Sequence, residues 1–126
     1  HALANAWDET YGGLFDEGYY FKGDEELTIL SDHKSWWSQM EALNSFLMMS
    51  LIFPENELYF ERFLQQWQFI NTYLVDHKYG GVYPRPIARH PEAKTANKAQ
   101  EWKGPYHTSR ALENCVHMLK TNELPF

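Results

Sequence analysis

The chain has 126 residues, 44% of them hydrophobic and 17% aromatic, which is enough to bury the core of one domain and excludes a disordered tail. Its formal net charge is −6 and it has no basic block, which argues against nucleic acid and anionic membrane surfaces as partners. The single cysteine, Cys115, excludes an internal disulfide, and its apolar helical surroundings predict a buried, reduced thiol.

The amino-terminal region predicts a helix end followed by a glycine turn. Residues 1–7 read as the tail of a helix without a cap, which suggests that upstream sequence is missing. No signal peptide or long apolar segment is visible, so a cytoplasmic location is expected. The loop 8–18 contains Tyr11-Gly12-Gly13, whose paired glycines permit positive φ and a sharp reversal. Residues 19–33 are polar and irregular, with a short extended piece expected at 18–21.

Two long helices with a short link follow and predict an αα-hairpin. The first spans 34 to about 52, with Asp32 as its candidate N-cap, and ends before Pro54. Its apolar residues recur at spacings of three and four: Trp36, Trp37, Met40, Leu43, Leu47 and Leu51. The second spans about 55 to 74, with Glu55 and Glu57 in its first turn, where the helix dipole favours acidic side chains. Its predicted apolar stripe consists of Tyr59, Phe63, Trp67, Ile70 and Leu74.

The carboxy-terminal part of the chain predicts a second glycine turn, a long loop and one more helix. The turn covers residues 76–83 and the proline-containing loop covers 84–101. Loops of this length in compact domains are often functional. The helix is expected from about Pro105 to Lys120, with a core stripe made by Leu112, Val116 and Leu119.

The chain contains an internal repeat. Residues 8–15 (DETYGGLF) match residues 76–83 (DHKYGGVY) at an offset of 68 residues. A second match, at an offset of 69 residues, aligns Lys34, Trp37, Ala42 and Leu43 with Lys103, Tyr106, Ala111 and Leu112. We therefore predict a single helical domain over residues 1–126, with repeats near 8–75 and 76–126.

Repeated helical hairpins bury their apolar faces only against one another, so they stack as a solenoid or close as a ring. In a ring, the inner helices begin at one rim and the long loops gather there. Aromatic residues at both loop–helix junctions would then face a common pocket: Trp36, Trp37, Trp102 and Tyr106. Such a pocket suits a sugar, whose C–H faces stack on aromatic rings and whose hydroxyls need polar partners.

The stretch 102–110 (WKGPYHTSR) concentrates the reactive side chains at the predicted start of the last helix. Pro105 suits a first helical turn, and His107 and Arg110, three residues apart, share one face there. The positive end of the helix dipole favours anionic or oxygen-rich ligands. These nine residues fit proton-transfer chemistry on a polyol and a buried aromatic cluster with one hydrogen-bonded histidine equally well.

Three stretches together resemble a known family: residues 8–15 (DETYGGLF), 34–43 (KSWWSQMEAL) and 98–110 (KAQEWKGPYHTSR). In this order and spacing they resemble the C-terminal part of the N-acylglucosamine 2-epimerase family, which includes cellobiose 2-epimerases and mannose-type aldose–ketose isomerases. The resemblance implies an all-α fold of repeated αα-hairpins, the C-terminal portion of an (α/α)6 barrel or toroid. It also implies a metal-free reaction at C2 of a reducing mono- or disaccharide, with no cofactor.

The resemblance assigns roles to several side chains. His107 corresponds to a general acid/base, and Trp102 and one of the adjacent Trp36 and Trp37 correspond to rings that stack on the sugar. Because adjacent helical residues point in different directions, one of these two tryptophans is expected in the core and the other in the pocket. The remaining substrate-site candidates are Gln39, Glu41, Tyr106 and Arg110.

Two of these candidates, Glu41 and Arg110, have further interpretations from the residues themselves. Glu41 fits two roles equally, orienting a histidine or forming a salt bridge with Arg110 or Lys103. Arg110 is expected to pair with a carboxylate.

One feature of the family is missing from the chain. The family has a second catalytic histidine upstream, in a His-x-x-Glu motif, and no histidine of this chain matches it. The main alternative to an epimerase or isomerase is therefore a non-catalytic carbohydrate-binding or regulatory module, and a third reading is a structural helical-repeat partner. Hairpins taken from a ring expose apolar flanks, so we expect self-association or dependence on missing upstream chain.

Metal sites are not expected. The acidic loop around Asp24, Glu25 and Glu26 lacks the Asp-x-Asp-x-Asp-Gly pattern of a calcium loop. No Cys/His cluster suggests zinc. The aspartates that begin the two glycine turns, Asp8 and Asp76, are expected to cap those turns through nearby backbone groups.

Overall fold

The computed structural model describes residues 1–125, so Phe126, the last residue of the predicted second repeat, lies outside the described residues. The fold is helical with one small antiparallel sheet. Its elements are α1 (Ala2–Asn5), β1 (Glu17–Tyr19), β2 (Thr28–Ser31), α2 (Trp36–Ile52), α3 (Leu58–Tyr73), a short 3-10 helix (Pro91–Lys94) and α4 (Tyr106–Thr121). The extended piece expected at 18–21 overlaps β1, which pairs with β2. The all-α expectation therefore missed a two-stranded hairpin.

Helix α2 is the centre of the fold because it packs against both α3 and α4. Its residues Met40, Leu43 and Leu47 are at most 2% exposed. The residues on its other sides, Ala42, Asn44 and Phe46, are also buried, because two helices cover α2 from different directions. The predicted αα-hairpin of α2 and α3 is confirmed.

Two predicted helix starts were wrong. Ser35 is the N-cap residue of α2, and its N–H and hydroxyl donate to the carboxylate of Asp16, whereas the expected cap Asp32 accepts a hydrogen bond from Arg89. Helix α3 begins at Leu58, three residues after the expected start, because Pro54 is followed by a turn in which the Asn56 N–H donates to the Phe53 carbonyl.

The predicted stripe of α3 is confirmed at Phe63, Ile70 and Leu74, whereas the buried face of α4 is rotated from its predicted stripe. On α3, Gln66 is buried, whereas Trp67 is 41% exposed. On α4 the buried positions are Ala111, Cys115 and Met118, one residue before each predicted position, and Val116 and Leu119 are exposed. The apolar residues left outside form one groove of about 400 Å³ between the helices, lined chiefly by Phe60, Leu64, Trp67, Val116 and Leu119.

The two glycine turns have the same backbone. Asp8 N–H donates to the Gly13 carbonyl, as Asp76 N–H donates to the Gly81 carbonyl, and each aspartate accepts two backbone N–H groups as expected. A lysine closes each turn. Lys34 Nζ donates to Asp8 and to the Gly12 carbonyl, and Lys98 Nζ donates to Asp76 and to the Gly80 carbonyl.

The structural counterpart of Lys34 is therefore Lys98, although the sequence match aligned Lys34 with Lys103. The loop 84–101 joins the second turn to α4 and lies close to α2, since the Trp36 N–H donates to the Pro84 carbonyl. Cys115 is buried as expected, and burial raises the pKa of its thiol to about 11. Within residues 1–125 we find no helix with the length and apolarity needed to cross a membrane.

Candidate active site

The side-by-side packing of α2 and α4 brings Glu41 against His107 and Arg110. His107 Nδ1 lies 2.6 Å from Glu41 Oε1, and an Arg110 guanidinium N–H donates to Glu41 Oε2. His107 is the second residue of α4, and Arg110 is on the same face one turn later. The two roles proposed for Glu41 are therefore combined, because one oxygen orients the histidine and the other pairs with the arginine.

This arrangement fixes how His107 can exchange a proton. An acceptor carboxylate at Nδ1 places the Nδ1–H toward Glu41 in both the neutral and the protonated ring. No other hydrogen bond to the ring is present among residues 1–125, so Nε2 is left for a ligand. Burial alone would raise the pKa of Glu41, but the hydrogen bonds from His107 and Arg110 outweigh it and hold this pKa below its ordinary value. Glu41 therefore stays charged and holds the ring.

Two aromatic rings lie beside the imidazole of His107. The Trp37 ring lies 5.8 Å from the His107 ring, and the Tyr106 ring lies 5.2 Å from it. The Arg110 guanidinium lies 5.1 Å from the centre of the Tyr106 ring. Trp37 is 46% exposed and Tyr106 is 63% exposed, so both rings are open to a ligand.

The two adjacent tryptophans of α2 divide as expected. Trp36 is partly buried against the core, and the Nζ of Lys103 lies 5.0 Å from its ring centre. Trp37 is the one that faces His107. Trp36 thus packs against the core, and of the two candidates only Trp37 lies beside His107.

Gln39 is not in the site. The side chain is completely buried, and its amide bonds both backbone groups of Leu14 and receives the amide of Gln66. These partners use the groups that a substrate would need, so its assignment to substrate binding was wrong. It is instead a structural link between α2 and the first glycine turn.

Trp102 is separate from the cluster. Its side chain is 81% exposed, and among the described residues no hydrogen bond or ring contact connects it to His107 or Trp37. Lys103, the other proposed partner of Glu41, donates instead to the Lys98 carbonyl. Nothing in the spacing of the two lysines along the sequence indicates this contact.

The ionisable groups of the described chain do not form a metal centre. Over residues 1–125, no three His, Cys, Asp or Glu side chains come together in a way that could hold a metal ion. The cluster of Trp37, Glu41, Tyr106, His107 and Arg110 instead has the parts of a general acid/base beside a stacking surface.

The chain is similar to several known sugar-converting enzymes. It is 32% identical over 122 residues to the D-mannose isomerase of Marinomonas mediterranea, covering 95% of this chain and 28% of that protein. A solved D-mannose isomerase superposes with a TM-score of 0.68 at 28% identity, over 94% of this chain and 28% of the other. The cellobiose 2-epimerase of Spirochaeta thermophila superposes with a TM-score of 0.60 at 29% identity, over 76% of this chain and 24% of the other.

A family profile gives the same result. The profile of the N-acylglucosamine 2-epimerase (GlcNAc 2-epimerase) family matches residues 1–111. The chain spans 28% of the length of the D-mannose isomerase that it matches. The resemblance noted in the sequence is therefore confirmed, and the chain belongs to the N-acylglucosamine 2-epimerase family.

Proposed function

We propose that this chain contributes the acid/base half-site of a sugar epimerase or isomerase that acts at C2 of a reducing sugar. The observation that supports this most directly is the contact of Glu41 with His107 Nδ1, which leaves Nε2 open beside the exposed Trp37. The relatives named for mannose and cellobiose favour a reducing mono- or disaccharide as the ligand.

The proposed chemistry is proton transfer next to the carbonyl of the open-chain sugar. His107 Nε2 takes the C2 proton, and the electron pair of the C–H bond forms the enediolate. Return of a proton to the opposite face of C2 gives the epimer. Delivery of the proton to C1, with transfer of the C2 hydroxyl proton to the negatively charged C1 oxygen, gives the ketose. Glu41 stabilises the imidazolium formed in the first step, and no metal takes part. Epimerisation by opposite faces needs a second acid/base group, which the relatives' longer chains have room to supply.

We further propose that the hairpins belong to an (α/α)6 ring with the cluster at its inner rim. The repeat of the glycine turns and the superposition on longer relatives support this arrangement. The apolar groove between α3 and α4 is exposed in the 126-residue chain, so we expect self-association through it. Light scattering should show oligomers that Leu64→Glu disperses and that Leu30→Glu, a change at an exposed leucine in the β-hairpin, leaves intact.

The test of the chemistry is deuterium incorporation at C2, followed by proton NMR in heavy water. The substrates are mannose, glucose, N-acetylmannosamine, N-acetylglucosamine and cellobiose. We expect incorporation that falls by about 100-fold or more in His107→Ala, the usual contribution of a positioned acid/base. The control His117→Ala changes an exposed histidine on the same helix and should retain the wild-type rate.

Absence of incorporation with every sugar would overturn the proposal that this chain catalyses the step. The alternative function is sugar binding without catalysis, which the exposed rings of Trp37 and Tyr106 favour. Its test is a titration of tryptophan fluorescence with the same sugars. A response that is lost in Trp37→Phe, without deuterium incorporation, would identify a binding module.

A further inference from the structure

Trp102 lies at the tip of a tight turn. The Gln100 N–H donates to the Lys103 carbonyl and the Lys103 N–H donates to the Gln100 carbonyl, at 3.3 Å and 3.0 Å, so only Glu101 and Trp102 are left at the tip. The Trp102 side chain is 81% exposed. Because most of the indole surface is exposed, its position depends on the residues that fix the base of the turn.

The base is fixed by a buried cation. Lys103 is 5% exposed, its Nζ donates to the Lys98 carbonyl at 2.7 Å, and it lies 5.0 Å from the centre of the Trp36 ring. It has no carboxylate partner within the described residues. Burying a cation is costly, and burial accordingly lowers the pKa of Lys103. A carbonyl dipole and an aromatic face are the groups that compensate here.

A second lysine joins this base to the glycine turn. Lys98 Nζ donates to Asp76 at 2.6 Å and to the Gly80 carbonyl at 2.7 Å. Lys98 thus links the two, because its Nζ binds the second glycine turn and its backbone carbonyl accepts the hydrogen bond from Lys103 Nζ. The turn that carries Trp102 is therefore fixed at one side to the loop 76–83 and at the other side to Trp36 on α2.

We propose that Lys103 is a positioning residue that sets the orientation of Trp102 relative to the site on α2 and α4. It acts through the Lys98 carbonyl and the Trp36 ring and does not touch the substrate. Trp36 is the neighbour of Trp37, which contacts His107, so one buried cation connects the Trp102 turn to the helix that carries Trp37 and Glu41. The effect on sugar binding rests on the proposed function; the effect on the indole does not.

The first test is fluorine NMR of the full chain labelled with fluorotryptophan, with the five resonances assigned by single Trp→Phe variants. Lys103→Met keeps the alkyl stem and removes the charge and the donor. We expect the Trp36 and Trp102 resonances to move and those of Trp7 and Trp67 to stay. Lys103→Arg restores the charge and the donors and should return the Trp102 resonance toward its wild-type position.

The matched control is Lys94→Met, which removes an exposed lysine from the 3-10 helix and should move none of these resonances. If Lys103→Met moves the Trp36 resonance and leaves Trp102 unchanged, Lys103 only packs in the core and the proposal is wrong. This readout needs no sugar, so it stays informative even where the proposed function fails.

The second test uses sugar binding. The family resemblance assigns Trp102 to stacking on the sugar, and a misplaced stacking ring weakens binding. On that assignment, Lys103→Met should raise the sugar dissociation constant by about tenfold or more. It should leave the rate of deuterium incorporation at saturating sugar unchanged, because the Glu41–His107 pair does not involve it. A fall in the saturated rate with an unchanged dissociation constant would assign Lys103 to the support of α4 and contradict the proposal.

Discussion

The two glycine turns have one backbone design in two different surroundings. In the first, the lysine that closes the turn is 3% exposed and lies between the rings of Phe15 and Phe69. In the second, Lys98 is 29% exposed, and its Nζ lies over the Tyr79 and Tyr83 rings at longer distances of 5.9 Å and 5.8 Å from the ring centres. The cation of the first turn is thus buried, whereas the cation of the second turn is partly solvated and lies in the loop that leads to Trp102.

The comparison shows that identical hydrogen bonds can serve different purposes. The Asp-x-x-Tyr-Gly-Gly pattern is sufficient to set the backbone, because Gly13 and Gly81 share a φ of 81° and each aspartate makes the same contacts. The residues packed around each turn determine how much that turn contributes to the stability of the fold. We therefore expect the first turn to govern folding and the second to govern the site.

The largest expected difference is between Lys34→Met and Lys98→Met. Removing Lys34 leaves the buried Asp8 carboxylate without its cation, which should cost about 3–5 kcal/mol of unfolding free energy. Lys98 is partly solvated, so its loss should lower stability clearly less. Urea unfolding of both variants measures the difference, and equal losses would contradict the distinction between the two turns.

Gly13→Ala and Gly81→Ala should differ next. Both introduce a side chain at the same positive φ, which costs about 1–2 kcal/mol. At Gly13 the new Cβ would also lie 2.8 Å from Phe69 Cε1 and 2.9 Å from Gln39 Oε1, whereas at Gly81 its nearest neighbour is Lys98 Cδ at 3.7 Å. This crowding should add about 1–3 kcal/mol at Gly13 alone. Thermal unfolding of the two variants measures this difference. A similar loss of stability at both sites would contradict the expected crowding at Gly13.

The smallest expected effect concerns acid stability. The hydrogen bond from Lys98 and two backbone N–H groups hold the pKa of Asp76 well below its ordinary value. A carboxyl with a lowered folded-state pKa stabilises the fold above its unfolded pKa of about 4, and this contribution is lost as the pH falls through the folded pKa. Stability measured below about pH 4 should therefore fall less steeply in Asp76→Asn than in wild type.

The same experiment on the first turn sharpens the comparison. Burial raises the pKa of Asp8 and opposes the hydrogen bonds from Lys34, Thr10 and Tyr11, although the net shift is still downward. Asp8→Asn should therefore reduce the loss of stability at low pH by less than Asp76→Asn does. A larger change in Asp8→Asn than in Asp76→Asn would contradict this order of the two aspartates.

The helices were predictable because their signals are local. Spacings of three and four, Pro54 after α2 and Pro105 before α4 placed all three long helices within a few residues. The exact faces were not predictable, because Trp67 and Val116 are as apolar as the residues that are buried. Which of them is covered depends on the packing of α2 between α3 and α4. The fully buried Gln66 gave no apolar signal because its side chain is polar. Its Nε2 donates to the backbone and side-chain oxygens of Gln39, whereas its Oε1 has no hydrogen-bond partner among the described residues.

The candidate site was predictable to the extent that motif residues carry it. His107, Glu41 and Arg110 do meet, and the division of Trp36 from Trp37 followed from helix geometry. The role of Lys103 depends on a turn closed by two backbone hydrogen bonds, which a single sequence does not indicate. The assignments of catalysis and sugar contact stay predictions until the exchange experiment is done.

The buried amide of Gln39 has a consequence for which residues position 39 can accept. Its oxygen accepts the Leu14 N–H and its nitrogen donates to the Leu14 carbonyl. The side-chain amide therefore makes the two hydrogen bonds that a residue of a neighbouring strand would make to Leu14 in a sheet. Only a group with one donor and one acceptor at this spacing can do so. A glutamate of the same shape would set an oxygen against the Leu14 carbonyl. Which residues position 39 accepts therefore depends on the donor and acceptor of the side chain, whereas at most buried positions it depends chiefly on side-chain size.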